Sequence, residues 1–422
     1  MNAPAAGPLN RIDLIARYRE VRDQTEHLCA PLATDDYQIQ SVLETSPPKW
    51  HLAHVSWFFE TFLLAPQVPD YRPFHPRFEY LFNSYYESVG SRHPRAQRGL
   101  ISRPTVEDVY RYRQHVDDAM LALMHSVPDA RWDATAFLAT LGLHHEQQHQ
   151  ELLLMDIKHN FAANPLRPAY QRAPSNVSTA VAERLRWIER GGGICEIGHE
   201  GSGFAFDNET PRHTVLLRDH ALASRPVTNG EYLQFMASGG YGDARYWLAD
   251  GWAILREKGW EAPLYWEQRD GEWWHMTLNG LRPLNTAEPV CHVSFYEADA
   301  YARWAGKRLP LEEELETMLA AEPLEGNFVE SGLLHPRPAA AGDGQWYGDV
   351  WEWTRSAYSP YPRFVPLAGS LGEYNGKFMA NQMVLRGGCC VTPRSHMRES
   401  YRNFFYPHDR WPFTGIRLAA DR

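Results

Sequence analysis

Hydrophobic residues in roughly the first 160 positions recur at the three- and four-residue spacing of amphipathic helices. The clearest series are Leu14, Ile15, Tyr18 and Val21, and Val109, Tyr112, Val116, Met120 and Leu123. Thr105 precedes two acidic residues and predicts one helix N-cap, and Asp133 predicts the cap of a helix over about 134–160. Four helices of about 15 to 25 residues predict a bundle. A Pro- and Arg-rich connection at 71–104 interrupts them, and a loop of this length is usually functional.

The pattern changes after residue 163. Residues 164–190 begin with a stretch rich in Pro, Asn and Ser, which predicts a linker. From 191 onward, glycines, prolines and tryptophans separate short strand-like runs such as His213–Leu217, and helices are predicted at 228–237 and 294–305. The sequence therefore predicts an α+β protein with a helical bundle at 1–163, a linker at 164–190 and an irregular α+β domain at 191–422.

Composition narrows the class of protein. The 422 residues suffice for two or three domains, and the formal net charge of −10 argues against nucleic acid as a partner. Five cysteines, an odd number without a C-x-x-C pair, argue against a disulfide framework and are typical of a reducing compartment. The sequence has no apolar run of membrane-spanning length and no recognisable signal peptide, so we expect a cytoplasmic protein with no membrane partner.

One stretch of the predicted bundle carries two histidines on the same helical face. His145 and His149 are four residues apart, so their rings project about 6 Å apart and can share a divalent cation. A further ligand must come from another helix, and either His51 or His54 could supply it. Three neutral nitrogens suit Fe(II), Zn(II) or Ni(II), and spacing alone does not choose among these metals. Histidine pairs at this spacing also occur by chance on solvent-facing helices, which is the alternative for this motif.

Several motifs together resemble one family of enzymes. They include the histidine motif at 145–151 and the block Ser-Pro-Pro-Lys-Trp-His-Leu-Ala-His at 46–54. The others lie at 81–87, 208–213, 348–354, 373–378, 386–388, 402–405 and 415–417. Over nearly its whole length the chain resembles the ergothioneine sulfoxide synthases, or hercynine oxygenases (the EgtB family), with their selenoneine synthase branch. The resemblance implies a DinB-like four-helix bundle followed by a C-type-lectin-like domain of the formylglycine-generating-enzyme and sulfatase-modifying-factor type.

The resemblance also implies a reaction. His54, His145 and His149 would bind Fe(II) as the cofactor, and hercynine, O2 and a cysteine-type thiol would be the small-molecule substrates. Sulfur would be joined to C2 of the hercynine imidazole to give a sulfoxide. In the selenoneine branch, a selenosugar supplies selenium to the same carbon. Departures from the family pattern, such as Glu44-Thr-Ser where relatives that use free cysteine commonly have Asp-Ala-Ser, are compatible with that branch.

Three residues near the metal motif are implied as participants in this reaction. Gln148 would orient hercynine, because the family uses the glutamine at this position in that way. Tyr85 and Tyr86 stand where one branch of the family has its active-site tyrosines, which can give a proton to the reacting oxygen. The alternative for the two tyrosines is a pair of packed aromatic residues.

Other residues are implied as substrate contacts. Among the arginines of the long connection we favour Arg95 as the ligand of the donor's carboxylate, with a solvated basic loop as the alternative. Glu44 would contact the donor's amino group, and Arg398 could contribute from the second domain. Phe404 and Phe405 are candidates for the aromatic faces that the trimethylammonium group of hercynine requires, with core packing as the alternative.

Two other functions remain open at this point. A DinB-type thiol S-transferase would use Zn or Ni only to activate a low-molecular-weight thiol, but that class normally lacks a large C-terminal domain. A lectin-like binding module on an inactive bundle would predict lost ligands, whereas all three histidines are present.

Overall fold

The computed structural model describes residues 10–172, 182–340, 342 and 344–422. Positions 1–9 of the predicted bundle and 173–181 of the predicted linker lie outside these residues. The chain forms two compact units. Unit 1 extends to Asn164 and also contains Gly201–Phe206 and Pro366–Tyr374, whereas unit 2 contains Pro165–Glu200, Asp207–Val365 and Asn375–Arg422. Two short segments from beyond the predicted linker thus belong to the N-terminal unit, which the sequence pattern did not predict.

Unit 1 is helical. Its α-helices are α1 (Arg11–Cys29), α2 (Pro48–Phe59), α3 (Ala65–Gln67), α4 (Phe78–Phe82), α5 (Val106–Ser126) and α6 (Asp129–Ala163). The helices α1, α2, α5 and α6 form the predicted bundle, and a π-helical turn, Glu60–Leu64, continues α2. The connection at 71–104 is mostly irregular but contains α4 and a 3₁₀ turn, Arg95–Leu100.

The helix starts partly match the sequence predictions. Thr105 caps α5 as predicted, because its side chain accepts a hydrogen bond from the Asp108 amide and the Asp108 carboxylate accepts one from the Thr105 amide. The predicted cap at Asp133 is wrong: α6 begins at Asp129, directly after Pro128. Proline ends the preceding chain in an extended conformation, and the Asp129 carboxylate lies in the first turn, where the helix dipole favours negative charge.

A buried ion-pair network determines which face of α6 points away from α2. The carboxylate of Glu146 accepts hydrogen bonds from Arg22 of α1 at 2.9 Å and from Arg113 of α5 at 3.1 Å. Burial raises the pKa of Glu146, but the two guanidinium groups outweigh it and lower that pKa below its ordinary value. Because Glu146 is held against α1 and α5, the neighbouring His145 points toward α2.

Gly142 allows α6 to approach α2 closely. A Cβ atom at this position would lie 2.5 Å from Cε1 of Phe59 and 3.1 Å from Cε1 of Phe58. The Phe58 ring in turn packs 4.7 Å, between centroids, from the ring of His145, one turn further along α6. The absence of a side chain at Gly142 therefore brings the histidines of the two helices together.

We expect Gly142→Ala to lower both the free energy of unfolding and the metal affinity of unit 1. Alanine gains about 1 kcal/mol of helix propensity, but overpacking a close contact costs about 1–3 kcal/mol, and α6 must move away from α2. Thermal unfolding and metal titration measure the two effects. Gly242→Ala is the matched control, since a Cβ there meets nothing within 4 Å. Unchanged metal affinity in Gly142→Ala would show that the close approach does not position the histidines.

Unit 2 combines short helices with five small sheets among the described residues. Its helices are α7 (Asn229–Ala237), α8 (Ala249–Lys258), α9 (Phe295–Trp304) and α10 (Glu312–Leu319). Its strands are β1 (Trp187–Arg190), β2 (Gly193–Ile197), β3 (His213–Leu217), β4 (His220–Ala223), β5 (Trp266–Arg269), β6 (Glu272–Thr277), β7 (Gly280–Pro283), β8 (Gly326–Asn327), β9 (Tyr347–Gly348), β10 (Trp351–Ala357), β11 (Met383–Arg386), β12 (Asn403–Phe405), β13 (Thr414–Gly415) and β14 (Ala419–Asp421).

Three of these five sheets pair strands that are consecutive in sequence, whereas β1-β4-β14 and β12-β11-β10-β13 also join strands that are distant in sequence. The strand orders are β1-β4-β14, β12-β11-β10-β13, β2-β3, β5-β6-β7 and β8-β9. The predicted helices at 228–237 and 294–305 are α7 and α9, which begin one residue later because Thr228 and Ser294 are their N-caps. Aromatic residues fill the core, as the composition indicates: Trp351 and Trp353 of β10 are both almost fully buried. Among the described residues, no helix has the length and apolar character needed to cross a bilayer.

Candidate metal centre and substrate pocket

Three histidines from two helices of unit 1 converge. His54 lies on α2, and His145 and His149 lie on α6. Each ring offers one nitrogen, and these three nitrogens all lie within 4.8 Å of one another. Ring centroids are 4.7 Å apart for His145 and His149 and 4.9 Å apart for His54 and His145. Of the two histidines that the sequence left open on α2, the structure thus brings His54 into this group, which we call the histidine triad.

The donor atoms of the histidine triad fit a metal ion. Nδ1 of His54 lies 2.6 Å from the carbonyl oxygen of Phe82, so it carries the proton and Nε2 keeps its lone pair. That Nε2 atom and both ring nitrogens of His145 are buried without a hydrogen-bond partner in the described part of the chain. Buried polar atoms are normally paired, so the lone pairs of His54 Nε2 and of the unprotonated nitrogen of His145 need a ligand that accepts them. A cation of the Fe(II), Zn(II) or Ni(II) type meets that need.

The environment keeps the histidine triad neutral. Burial lowers the pKa of His145 to about 3, and burial together with His145 lowers the pKa of His54 well below its ordinary value. The pKa of His149 is lowered in the same direction by burial and by its two neighbours. Neutral imidazole is the form that binds a metal, so no proton has to be removed before the metal can bind at neutral pH.

A guanidinium group lies next to the histidine triad. The indole of Trp50 stacks on the His54 ring at 4.5 Å between centroids, and the guanidinium carbon of Arg98 lies 3.4 Å from the centroid of the Trp50 ring. Arg98 is 3% exposed and donates hydrogen bonds only to hydroxyl oxygens, those of Ser46 at 2.9 Å and Ser84 at 3.3 Å. Within the described residues no carboxylate lies within 4 Å of it, and its Nε–H has no acceptor.

A buried guanidinium group without a carboxylate within 4 Å is suited to bind an anion. Burial, followed by the positive charge of Arg95, lowers the pKa of Arg98 well below its ordinary value. A bound carboxylate would reverse this penalty, because buried charges are stable only when they are paired. The sequence favoured Arg95 for this role, but Arg95 is exposed and donates a hydrogen bond to the backbone carbonyl of Glu44. The Glu44 side chain is also exposed.

The two tyrosines that follow α4 are stacked on each other. The rings of Tyr85 and Tyr86 are 4.7 Å apart between centroids, and Tyr86 is completely buried beside Trp57 at 5.6 Å. Burial, followed by the neighbouring Tyr85 and Tyr374 phenols, raises the pKa of Tyr86 well above its ordinary value. Tyr86 therefore keeps its proton at neutral pH and is available as a proton donor rather than as a base.

Tyr374 is a site residue that the sequence reasoning did not single out. Its hydroxyl donates a hydrogen bond to Oε1 of Gln148, and its ring lies 5.8 Å from that of His145. Phe206 stacks on the other side of Tyr374 at 5.4 Å. Glu373, the residue before it, accepts hydrogen bonds from the backbone amides 87 and 88 and so attaches this segment to the long connection. The available signal was the motif at 373–378, which carried part of the family resemblance.

The remaining predicted contacts lie in unit 2. Arg398 forms an ion pair with both oxygens of the Glu209 carboxylate, and its Nη1 donates to the His396 carbonyl oxygen at 2.9 Å. Phe404 stacks on Tyr358 at 4.0 Å, and Phe405 packs against Trp411 at 5.5 Å. Each side chain therefore has a structural partner within unit 2, and substrate binding by Arg398, Phe404 and Phe405 stays a prediction.

Unit 2 also contains a second cluster of side chains of the types that bind metals, but an arginine already balances the charge of this cluster. His275, Glu288 and His335 are buried, with ligand atoms within 4.8 Å of one another. However, Arg282 donates to both oxygens of Glu288 at 2.8 and 3.0 Å, and its Nε donates to Nε2 of His275 at 3.2 Å. The guanidinium supplies the positive charge that a metal ion would bring, so we assign no metal to this group.

Comparison with known families defines the class of protein. The model of the DinB superfamily matches residues 17–159, and that of the sulfatase-modifying factor enzyme 1-like domain matches 186–337 and 331–422. The chain thus combines a DinB-like helical bundle with a C-type-lectin-like domain of the sulfatase-modifying-factor type. The fold class expected from the sequence is confirmed.

Individual relatives define the family. The hercynine oxygenase of Mycobacterium tuberculosis is 32% identical over 404 residues, spanning 89% of this chain and 91% of that protein. The hercynine oxygenase of Mycolicibacterium thermoresistibile is 30% identical over 98% of this chain and 95% of that protein. That of Mycolicibacterium smegmatis is 31% identical over 89% of this chain and 91% of that protein. The chain belongs to the hercynine oxygenase family.

Proposed function

We propose that this protein is a non-haem Fe(II)- and O2-dependent enzyme that forms a carbon–chalcogen bond at C2 of the hercynine imidazole. With a cysteine-type thiol the product is a sulfoxide, as in ergothioneine biosynthesis. With a selenosugar the product belongs to selenoneine biosynthesis. One observation carries the proposal: three neutral imidazoles, two of them buried and that of His149 half-buried, converge in a chain whose relatives over most of its length are hercynine oxygenases.

His54, His145 and His149 would hold the metal ion. When bound, Fe(II) supplies the redox chemistry that lets dioxygen oxidise a thiol or selenol donor. Because all three ligands are neutral, the site keeps the full positive charge of the metal, which favours binding of an anionic donor. The carbonyl of Phe82 orients the His54 ring, so Nε2 is directed into the site before the metal arrives.

Unit 1 also offers groups that would position both organic substrates. The amide of Gln148 lies one residue before His149, the hydroxyl of Tyr374 donates to its Oε1, and its amide nitrogen would donate to the imidazole of hercynine. Arg98 would bind a carboxylate of the donor, because it is a buried guanidinium without a carboxylate partner near the histidine triad. Holding both reactants in one pocket makes their reaction effectively unimolecular.

Tyr86 would supply a proton to the reacting oxygen. Its raised pKa keeps the phenol protonated, and the phenols of Tyr85 and Tyr374 next to it would replace the proton after transfer. A general acid positioned in this way contributes about 10²- to 10⁴-fold to a rate.

We expect Tyr86→Phe to slow product formation by at least about 10²-fold, or to divert the enzyme toward oxidation of the thiol alone, because phenylalanine retains the packing but has no proton to give. Product ratios measured by mass spectrometry distinguish the two results. Tyr110→Phe is the matched control, since Tyr110 forms its hydrogen bond with Tyr37 rather than near the histidine triad. An unchanged rate and product ratio in Tyr86→Phe would exclude the tyrosine as the donor.

A single assay tests the proposed function. Protein loaded with Fe(II) under anaerobic conditions is mixed with hercynine and O2, with cysteine, γ-glutamylcysteine and a selenosugar offered in parallel, and the products are identified by mass. We expect an O2-dependent adduct at the hercynine carbon with at least one donor. Transfer of a thiol with Zn(II) or Ni(II) and without O2 would instead establish the S-transferase alternative. No adduct with any donor would refute the proposal.

A further inference from the structure

His149 has a buried side-chain relay behind its ring. Nδ1 of His149 lies 2.9 Å from Nδ1 of His51, and Nε2 of His51 lies 3.0 Å from Oδ2 of Asp156. His51 is 3% exposed and Asp156 is 2% exposed, so water does not compete for these contacts. Asp156 follows His149 by seven residues on α6, which places both side chains on the same face two turns apart.

The direction of the hydrogen bonds follows from the carboxylate. Oδ2 of Asp156 accepts the backbone N–H of Ser46 at 2.7 Å, so it is an acceptor, and Nε2 of His51 must donate to it. When Nε2 carries the only proton of the His51 ring, Nδ1 presents a lone pair, and Nδ1 of His149 donates its proton to that atom. The remaining nitrogen of His149, Nε2, keeps its lone pair and is available to the metal.

The opposite direction would disable the site. If Nδ1 of His51 donated instead, His149 would carry its proton on Nε2, the atom that has to bind the metal. His54 avoids the same problem through the backbone carbonyl of Phe82. Among the described residues no backbone carbonyl accepts a hydrogen bond from the His149 ring, so a side-chain relay performs this task for it.

We propose that His51 and Asp156 are positioning residues that fix the tautomer and ring orientation of His149. This inference rests on the proposed metal site. A histidine ligand commonly donates its second N–H to an acceptor behind it, and loss of such a partner typically lowers metal affinity about 10- to 100-fold. Here the acceptor is a second histidine, which Asp156 holds in the accepting tautomer.

The test compares two replacements of His51. Asparagine places an amide oxygen near the former Nδ1 and can still accept the His149 proton, whereas alanine cannot. We expect His51→Ala to weaken Co(II) binding about 10- to 100-fold, and His51→Asn to recover most of that loss. Asp156→Ala should lower the affinity in the same direction as His51→Ala. The measurements are competition with a chromophoric chelator and the visible spectrum of bound Co(II), together with thermal unfolding of each variant.

His159→Ala serves as the control for removal of a histidine from α6, because the His159 ring forms a hydrogen bond with Ser41, which belongs neither to the triad nor to the relay. Equal Co(II) affinity in His51→Ala and the unmodified protein would overturn the proposal. An equal loss in His51→Ala and His51→Asn would also overturn it, since it would show that His51 acts by filling space rather than by accepting the proton.

The Co(II) measurements need neither hercynine nor O2, so they separate this inference from the proposed function. If the wild-type protein binds Co(II) tightly, the His51 variants test the relay even when no hercynine adduct forms. If the hercynine adduct forms and the His51 variants bind Co(II) normally, the relay is wrong while the proposed function stands.

Discussion

Replacing His145 by alanine is expected to abolish metal binding and turnover together. His145 is one of the three proposed ligands, and both of its ring nitrogens are buried without a hydrogen-bond partner among the described residues. Its removal leaves two ligands on two different helices. The loss of affinity should therefore exceed the about 10- to 100-fold effect expected for partners behind a ligand. Metal content after dialysis and the rate of adduct formation measure the two effects.

His159→Ala provides the comparison for His145→Ala. It removes a histidine from the same helix, α6, but from a position that contacts Ser41 of unit 1 rather than the histidine triad. We expect normal metal content in this variant. Normal metal stoichiometry in His145→Ala itself would remove His145 from the ligand set and would contradict the assignment of the metal centre.

The sequence predicted those features that depend on residues close together in the chain. His145 and His149 face the same way because they are four residues apart on one helix, and Thr105 caps α5 through a residue three positions away. Asp133 is not the N-cap, because α6 begins earlier, directly after Pro128. The capping preferences of single residues do not decide between two nearby candidates.

The features that escaped prediction depend on residues far apart in the chain. Tyr374 reaches Gln148 across 226 positions, and only the folded chain brings its segment into unit 1. The choice between His51 and His54 depended on how α2 is rotated against α6, which Gly142 and the Glu146 ion pairs determine. Spacing along the chain carries no information about such rotations.

The arginines of the long connection show the same limit at short range. Arg95 and Arg98 belong to one 3₁₀ turn, yet Arg95 is exposed and Arg98 is buried. Their chemistry is identical, and only the position of the Trp50 ring, on which Arg98 stacks, distinguishes them. The structure therefore favours Arg98 over Arg95 as the ligand of a carboxylate, whereas residue type alone could not separate them.

Arg98→Met is expected to raise the KM for a carboxylate-bearing thiol, such as cysteine, by about 30-fold or more, because losing one partner of a buried charge pair costs about 2–5 kcal/mol. Methionine keeps a long apolar side chain against Trp50 but cannot bind an anion. The KM for hercynine should stay the same. Arg95→Met, three residues away and exposed, should have a much smaller effect on either constant.

A comparison of cysteine with cysteamine makes this experiment more specific, because cysteamine is cysteine without the carboxylate. If Arg98 binds the donor's carboxylate, the unmodified protein should prefer cysteine to cysteamine, and Arg98→Met should remove most of that preference. A rise in the KM for hercynine instead would assign Arg98 to the carboxylate of the other substrate. Equal effects of Arg95→Met and Arg98→Met on cysteine would contradict the distinction, because burial beside Trp50 is the physical reason for expecting Arg98 to bind the anion more strongly.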